Sequence, residues 1–354
     1  VGLMALLAEP ATGVTRVLAG TLVMALAVMV WWAWATLARG RVTWLGAGRL
    51  GLSLGVFALA YPAAVLLMPV ATAWAGCRRG GRAGFPVAGA LALAAVLPVA
   101  PVTWHNVRAS GNLIPISAHA GVTLAHGNAP AAKGVYAPVE GLDPGRSGLH
   151  ASASAVYEQE TGTPGSWSEI DRHFARRAIN WWIEHPADAL GLAGRKVWFY
   201  LTARNYHDIR PTALDRKYGL ARGWWLAPLP TPWLFGLAGL GILALGRPWR
   251  RLGDLALPGL TLLVVVVFFY SPRYRLPIVP VTCVLAALGL VGTGRLKWPV
   301  GLKWVVAGLP LVAVGINGVT GFDDPQRMES TYRPILATSY RKVGLSEARE
   351  GRYD

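Results

Sequence analysis

The sequence predicts an all-α polytopic membrane protein, a helical bundle that carries a long outer-face segment of loops and interfacial helices. Three observations predict it. The 354-residue chain is 53% hydrophobic and only 15% charged, against about 25% charged in a soluble domain. Its apolar residues are gathered into Ala-, Leu- and Val-rich runs close to the ~20 residues that a membrane-crossing helix needs. Its Arg and Lys sit in short, acid-poor clusters between those runs, as in loops that obey the positive-inside rule. The net charge of +16 is therefore spread as membrane topology requires, which argues against a nucleic-acid partner.

The runs are Val17–Leu37, Gly51–Ala75, Phe85–Val102, Leu226–Leu245, Leu255–Tyr270, Leu276–Val291 and Trp304–Val319. Basic clusters follow at Arg39, Arg41 and Arg49, at Arg78, Arg79 and Arg82, at Arg247, Arg250 and Arg251, and at Arg295, Lys297 and Lys303. The first two clusters flank Gly51–Ala75 on both sides, so one simple crossing would put them on opposite faces. Tyr61-Pro62 lies in the middle of that run, and proline interrupts the helical hydrogen-bond ladder. The expectation is two short crossings, Gly51–Ala60 and Ala63–Ala75, joined by a turn at Tyr61-Pro62. All clusters then share the cytoplasmic face. This divides the chain into a transmembrane region over residues 1–103, an extracytoplasmic segment over 104–225, C-terminal transmembrane helices over 226–320 and an extracytoplasmic tail over 321–354. The alternative is a single crossing with one cluster on the wrong face. The chain opens on Val and reads as an internal piece of a longer protein.

Within the outer segment, Ser166 and Glu169 have the spacing of a capping box. Ile170, Phe174, Ala178 and Trp181 follow at helical spacing, with Arg172, Arg176 and Arg177 beside them. This amphipathic helix suits a membrane surface and equally suits packing on protein. His185-Pro186 ends it and starts a second helix through Leu190 and Trp198. The string from His105 to Pro130, HNVRASGNLIPISAHAGVTLAHGNAP, shows no helical periodicity and reads as a polar, turn-rich loop.

Three groups of residues could carry chemistry. Glu9 is the only acid between Val1 and Val102, and an acid beside a bilayer is a functional candidate or an ordinary interfacial acid. SPRYRLPIVP, Ser271 to Pro280, sets Arg273 and Arg275 around Tyr274 where one run ends and the next begins. Arg offers a planar fork that matches phosphate oxygens, and terminal Arg also snorkels. The His105–Pro130 string supplies His105, Asn106, Arg108, Ser117, His119, His126 and Asn128 as donors and acceptors for a sugar or phosphate. Its His spacing fits no zinc pattern. Cys77 and Cys283 lie in positions that suggest no disulfide. No Walker loop, GxSxG or dinucleotide fingerprint is present.

VTWHNVRASGNLIPISAHAGVTLAHGNAPAAKGVY resembles a stretch of the bacterial glycosyltransferase family 39 proteins, relatives of the protein mannosyltransferases and the lipid A aminoarabinose transferases. The matching positions are Asn106, Gly111, Ile116-Ser117, Gly121, Leu124, Gly127-Asn128 and Pro130. His105 stands where the family has Arg, and Thr123 where it has a later Asn. SPRYRLPIVPVTCVLAALGL looks like the family's late R-x-R-x-P-x-x-P helix, LLAEP resembles its short acidic string, and Tyr61-Pro62 resembles a T-R-P turn with Tyr replacing Arg.

The resemblance spans most of residues 1–320 and implies a C-type glycosyltransferase-like helical bundle. Such an enzyme takes a sugar from a polyprenyl-phosphate lipid and passes it to a protein, lipid or glycan acceptor at the outer face. It implies a multi-pass protein of the bacterial plasma membrane, with Glu9 as a second acidic position. The family's essential Asp lies in a loop expected upstream of Val1. Donor-phosphate and acceptor contacts would fall to Arg273, Tyr274, Arg275, Asn106, Arg108, Ser117 and Asn128. No cofactor is certain; a divalent cation is the one left open. The tail TSYRKVGLSEAREGRYD has Tyr340, Val343, Gly344, Gly351 and Tyr353 at the offsets of a tetratricopeptide repeat's first helix. The rival expectations are a transporter or flippase, suited by helices broken near Pro62 and Pro69, and a non-catalytic membrane anchor for a repeat scaffold.

Overall fold

The computed structural model describes residues 19–143, 148–202, 231–244, 252–292, 299–302, 305 and 308. Glu9, the clusters at Arg247–Arg251 and Arg295–Lys303 and the tail expected to open a tetratricopeptide repeat lie outside the described residues. Among the described residues the regular elements are helical, with one isolated parallel bridge, Val135 to Tyr270. Three helices are long and apolar enough to cross a membrane, Gly20–Arg39, Gly81–Ser110 and Arg273–Gly292, as in a helical membrane protein. The described residues form two compact units. One takes in those up to Ala118 with those of Trp233–Val264 and Arg273–Gly308; the other takes in those of His119–Pro232 and Val265–Pro272.

The first unit opens with α1 (Ala19–Arg39), α2 (Trp44–Ala60), a 3-10 turn (Pro62–Leu66), α3 (Leu67–Arg79) and α4 (Gly81–Ser110). Thr43 caps α2, its hydroxyl accepting from the Gly46 amide at 3.1 Å. The helix breaks at Tyr61-Pro62, as the sequence predicts. Helix α2 starts earlier than expected, at Trp44, because Thr43 caps it there. The close approaches give the direction of each helix. Gly51 lies against the carbonyl of Leu91 and Gly55 against that of Ala95, so α2 and α4 run parallel. Only Gly80 separates α3 from α4, and Gly76 lies back against Gly84 and Ala88, so α3 runs antiparallel to α4. The chain therefore reverses at Tyr61-Pro62, and the basic flanks of α2 and α3 return to one end. The Arg78 guanidinium donates to the Ala38 carbonyl at 3.3 Å there.

Helix α4 buries Val87, Leu91, Ala95 and Val99 on one side and exposes Phe85, Leu93, Val96 and Leu97 on the other. A helix apolar all round is what a bilayer requires. Without a hydrophobic force between helices in lipid, close packing through small residues holds them together. Gly51 and Gly55, one turn apart, supply that contact. A Cβ on Gly55 would press on the Ala95 carbonyl and stand 2.8 Å from the Pro98 Cδ. Gly55→Val is expected to lower stability by about 1–3 kcal/mol through overpacking, read as a lower Tm of the detergent-solubilised protein. Gly48, with nothing within 4 Å of its would-be Cβ, is the control: Gly48→Ala is expected to leave Tm unchanged or raise it.

The same device recurs between α9 (Thr231–Ala244) and α11 (Val279–Gly292). Gly241 meets the Leu285 carbonyl and Gly289 meets the Leu237 carbonyl, an antiparallel crossing in which each glycine admits the other helix. Helix α10 (Leu252–Val267) precedes the 3-10 turn Pro272–Ile278 that leads into α11.

The second unit contains α5 (Ala120–Gly127), α6 (Leu149–Thr161), α7 (Trp167–Glu184) and α8 (Pro186–Thr202). Two features correct the loop expected for His105–Pro130. Helix α4 continues past Val102 to Ser110 and ends at Gly111 in the left-handed conformation, φ 69°. Ala120–Gly127 is also helical. Its Gly, Thr and His are weak helix formers, so packing on α7 supplies the stability. Gly121 allows α5 to reach the Asp171 backbone, and the Asp171 carboxylate accepts from the Val122 amide at 3.0 Å. The Ser166–Glu169 capping box forms as expected, and its hydroxyl and amide hold the Glu169 carboxyl below its ordinary value. Ile170, Phe174 and Ala178 are buried. Ile170 and Phe174 share a core with Val122, Ala125, Val139, Leu142 and Ala153. The Ile170, Phe174 and Ala178 part of the stripe thus packs on protein, while Ile179 and Ile183 of the same helix stay exposed. At the edge of that stripe Glu160 joins α6 to α7, at 2.8 Å from His173 and 2.9 Å from Arg177.

Candidate functional site

The turn that opens α11 carries the predicted arginines. Proline at 272 and 277 and the 3-10 geometry of Pro272–Ile278 set Arg273, Tyr274 and Arg275 on a tight coil. Arg273 is exposed, its guanidinium 5.2 Å from the centroid of the Tyr274 ring. That distance is within cation–π range and holds the fork at the ring face. Arg275 is only 1% exposed. A guanidinium keeps its charge in any protein, so this turn holds a buried cation beside an exposed one. Of the two, Arg273 is the one open to the oxygens of an anionic group.

The other predicted residues of the first unit sit at the end of α4. The Asn106 side chain donates to the carbonyls of Ile114 at 3.0 Å and Ile116 at 3.5 Å. Thr103 donates to the Pro115 carbonyl at 2.9 Å. These bonds fold the 111–117 loop back on the helix, so Asn106 braces the loop. Arg108 is exposed and lies 5.6 Å from the Trp104 ring centroid, the pairing of an amphipathic ring and a cation at a membrane interface. Ser117 is exposed on the same loop.

Asn128 belongs to the second unit, where it is the centre of a buried polar cluster. Gly127 first brings the end of α5 against the Phe268 backbone. The Asn128 amide then donates to the carbonyls of Leu124 at 2.8 Å and Val267 at 2.7 Å. Its oxygen accepts from the Trp182 indole at 3.0 Å and from the Lys196 amine at 2.7 Å. Lys196 donates also to the Val266 carbonyl at 3.0 Å. The segment 266–268 is thus held by Asn128, which caps α5, and by Lys196 of α8, with the Trp182 indole of α7 bonded to the same Asn128 oxygen; Tyr270 adds a bond from its amide to the Gly134 carbonyl at 2.8 Å. Asn128 is 2% exposed with both ends of its amide engaged. It acts on the chain that runs into the Arg273–Arg275 turn.

Lys196 is fully buried, and burial lowers its pKa from 10.5 to about 7. Two acceptors, the Asn128 oxygen and the Val266 carbonyl, match the two hydrogens of a neutral amine; an ammonium would carry a third. His126 is buried near Asn128 in sequence, its Nδ1 2.8 Å from the Ala137 carbonyl and its ring 4.5 Å from Tyr136. Burial holds its pKa below the ordinary value, against the smaller opposing effect of that bond. Its Nε2 has no partner among the described residues.

Lys196 and Trp182 are not legible as site residues from type alone. A signal is present for the lysine: it stands at the spacing of Ala189, Leu192 and Phe199 on the buried stripe of α8, where a charged residue is rare. Among the described residues no group of three His, Cys, Asp or Glu could hold a metal ion. Comparison of the chain with family models, curated proteins and solved structures finds no match.

Proposed function

We propose that this chain belongs to a membrane glycosyltransferase that moves a sugar from a polyprenyl-phosphate donor to a protein, lipid or glycan acceptor at the outer face. The observation that carries this reading is the Arg273-Tyr274-Arg275 turn at the head of an apolar helix long enough to span a membrane. Departure of the sugar leaves added negative charge on the donor phosphate, and fixed guanidinium groups lower the barrier to that step. Arg273 would contact the phosphate, with Tyr274 5.2 Å from its guanidinium restricting its motion. Arg275 supports the turn from within. The acceptor hydroxyl or amine needs a carboxylate to take its proton, and Glu9 is the candidate acid in the N-terminal stretch of this chain. The Asn106 and Asn128 clusters act as positioning groups for the 111–117 loop and the 266–268 segment.

The test is transfer of a radiolabelled sugar from polyprenyl phosphate in membranes that contain the full-length protein. Arg273→Ala is expected to lower the turnover about 10²–10³-fold, as loss of one charge-stabilising donor does elsewhere, with protein abundance unchanged. Arg273→Lys retains charge without the fork and is expected to fall between. Equal transfer by all three proteins would sink the assignment.

A further inference from the structure

The fold gathers one strongly charged surface that the proposed transfer reaction does not use. Arg39 ends α1, Arg41 lies in the α1–α2 connection, Arg78 and Arg79 end α3, and Arg82 begins α4. All five are exposed. In sequence they form two clusters about one helical hairpin apart. The reversal at Tyr61-Pro62 and the parallel register of α2 with α4 return them to one end of the first unit, and the Arg78–Ala38 bond at 3.3 Å joins the two clusters directly. That bond also fixes Arg78 on the carbonyl end of α1, where a cation is favoured.

No carboxylate balances these charges from within the segment, since the sequence has no Asp or Glu from Pro10 to Val139. Just along the helices from the arginines the surface turns apolar. Trp44, at the start of α2, is 68% exposed, and Phe85, at the start of α4, is 80% exposed. The parallel register of these two helices sets both rings at one level. A collar of guanidinium groups over exposed aromatic rings has the chemistry of a lipid headgroup above its acyl chains.

We propose that this end of the first unit is a binding site for anionic phospholipid, with Arg39, Arg41, Arg78, Arg79 and Arg82 on the headgroup phosphates and Trp44 and Phe85 against the upper acyl chains. The site is built by the α2–α3 reversal; with a single straight crossing the clusters would lie at opposite ends. The lipid both neutralises the collar and ties α1 to α3 across the end of the hairpin.

The test uses the purified full-length chain in nanodiscs of phosphatidylcholine alone and of phosphatidylcholine with phosphatidylglycerol. Phosphatidylglycerol is expected to raise Tm and to be retained on purification. Each Arg→Gln change is expected to weaken apparent phosphatidylglycerol affinity about fivefold, from the ~1 kcal/mol contributed by each cation at an anionic surface. The fivefold Arg→Lys chain is expected to keep most of it. If the chain with all five Arg→Gln changes retained full affinity, or if phosphatidylcholine alone gave the same Tm, the proposal would be overturned. Should the Gln chain not fold, salt titration of the unaltered protein decides: affinity that falls steeply with salt supports the site, and affinity insensitive to salt overturns it. Inorganic phosphate is expected to leave Tm unchanged, because it lacks the acyl chains; a matching rise with phosphate alone would overturn the lipid assignment.

Discussion

Asn128→Leu is expected to cost about 3–5 kcal/mol of stability, the range for breaking a buried, hydrogen-bonded cluster that contains an ionisable group. The leucine fills a similar volume and removes every bond of the side-chain amide at once. The Val267 carbonyl loses its donor, the Trp182 indole and the Lys196 amine lose their acceptor, and the Leu124 carbonyl loses its side-chain donor. The Lys196 amine is fully buried and the other three groups are partly buried, so hydration recovers only part of the loss. Denaturant unfolding of the purified full-length protein, followed by tryptophan fluorescence, reads the loss. The double change Asn128→Leu with Lys196→Met is expected to be less destabilised than the sum of the two single changes by more than about 1 kcal/mol, because it removes donor and acceptor together. Additive effects would show that the Asn128–Lys196 bond contributes nothing.

Lys196 is expected to impose a pH dependence opposite to that of an ion-paired lysine. Its amine titrates at about 7 in the folded chain against 10.5 ordinarily, through desolvation. Between those values the unfolded chain holds a proton that the folded chain has released. Stability therefore rises as pH increases from about 7 towards 10.5, by at most about 1.4 kcal/mol per pH unit. Below pH 7 both states are protonated and this group adds no further slope. Lys196→Met is expected to abolish the rise, with stability near pH 7 close to that of the unaltered protein, since a buried amine replaced by an apolar chain of similar length relieves desolvation. Unfolding measured from pH 6 to 10 on both proteins checks it; an identical slope in Lys196→Met would assign the pH dependence elsewhere.

The sequence is most legible where a residue type admits one local consequence. Pro62 ends α2 because its nitrogen has no hydrogen to donate and its ring excludes the preceding turn. Ser166 and Glu169 cap α7 because each satisfies an amide the helix leaves open. His185-Pro186 separates α7 from α8 for the same local reasons. The sequence is least legible at Ala120–Gly127, where weak helix formers are held helical by contact with α7, and at Lys196, whose partners come from positions more than sixty residues away in the chain. Asn128 is legible as a polar residue in a GN pair. That its amide is spent on Trp182, Lys196 and the 266–268 backbone is not, because those groups meet only when α5, α7, α8 and the end of α10 are packed.

By itself the sequence determined an all-helical chain with membrane-length apolar segments, the break at Tyr61-Pro62, the capped start of α7 and the short coil around Arg273–Arg275. These follow from hydropathy, proline and capping, which act within a few residues. Only the tertiary structure decided which face of α7 is covered, which glycines admit a neighbouring helix, and that Arg39–Arg41 and Arg78–Arg82 share one end. It alone decided that a lysine would be buried on an asparagine. Those outcomes depend on close packing and on the pairing of polar groups removed from water, and both are properties of residues distant in sequence that have no meaning until the chain is folded.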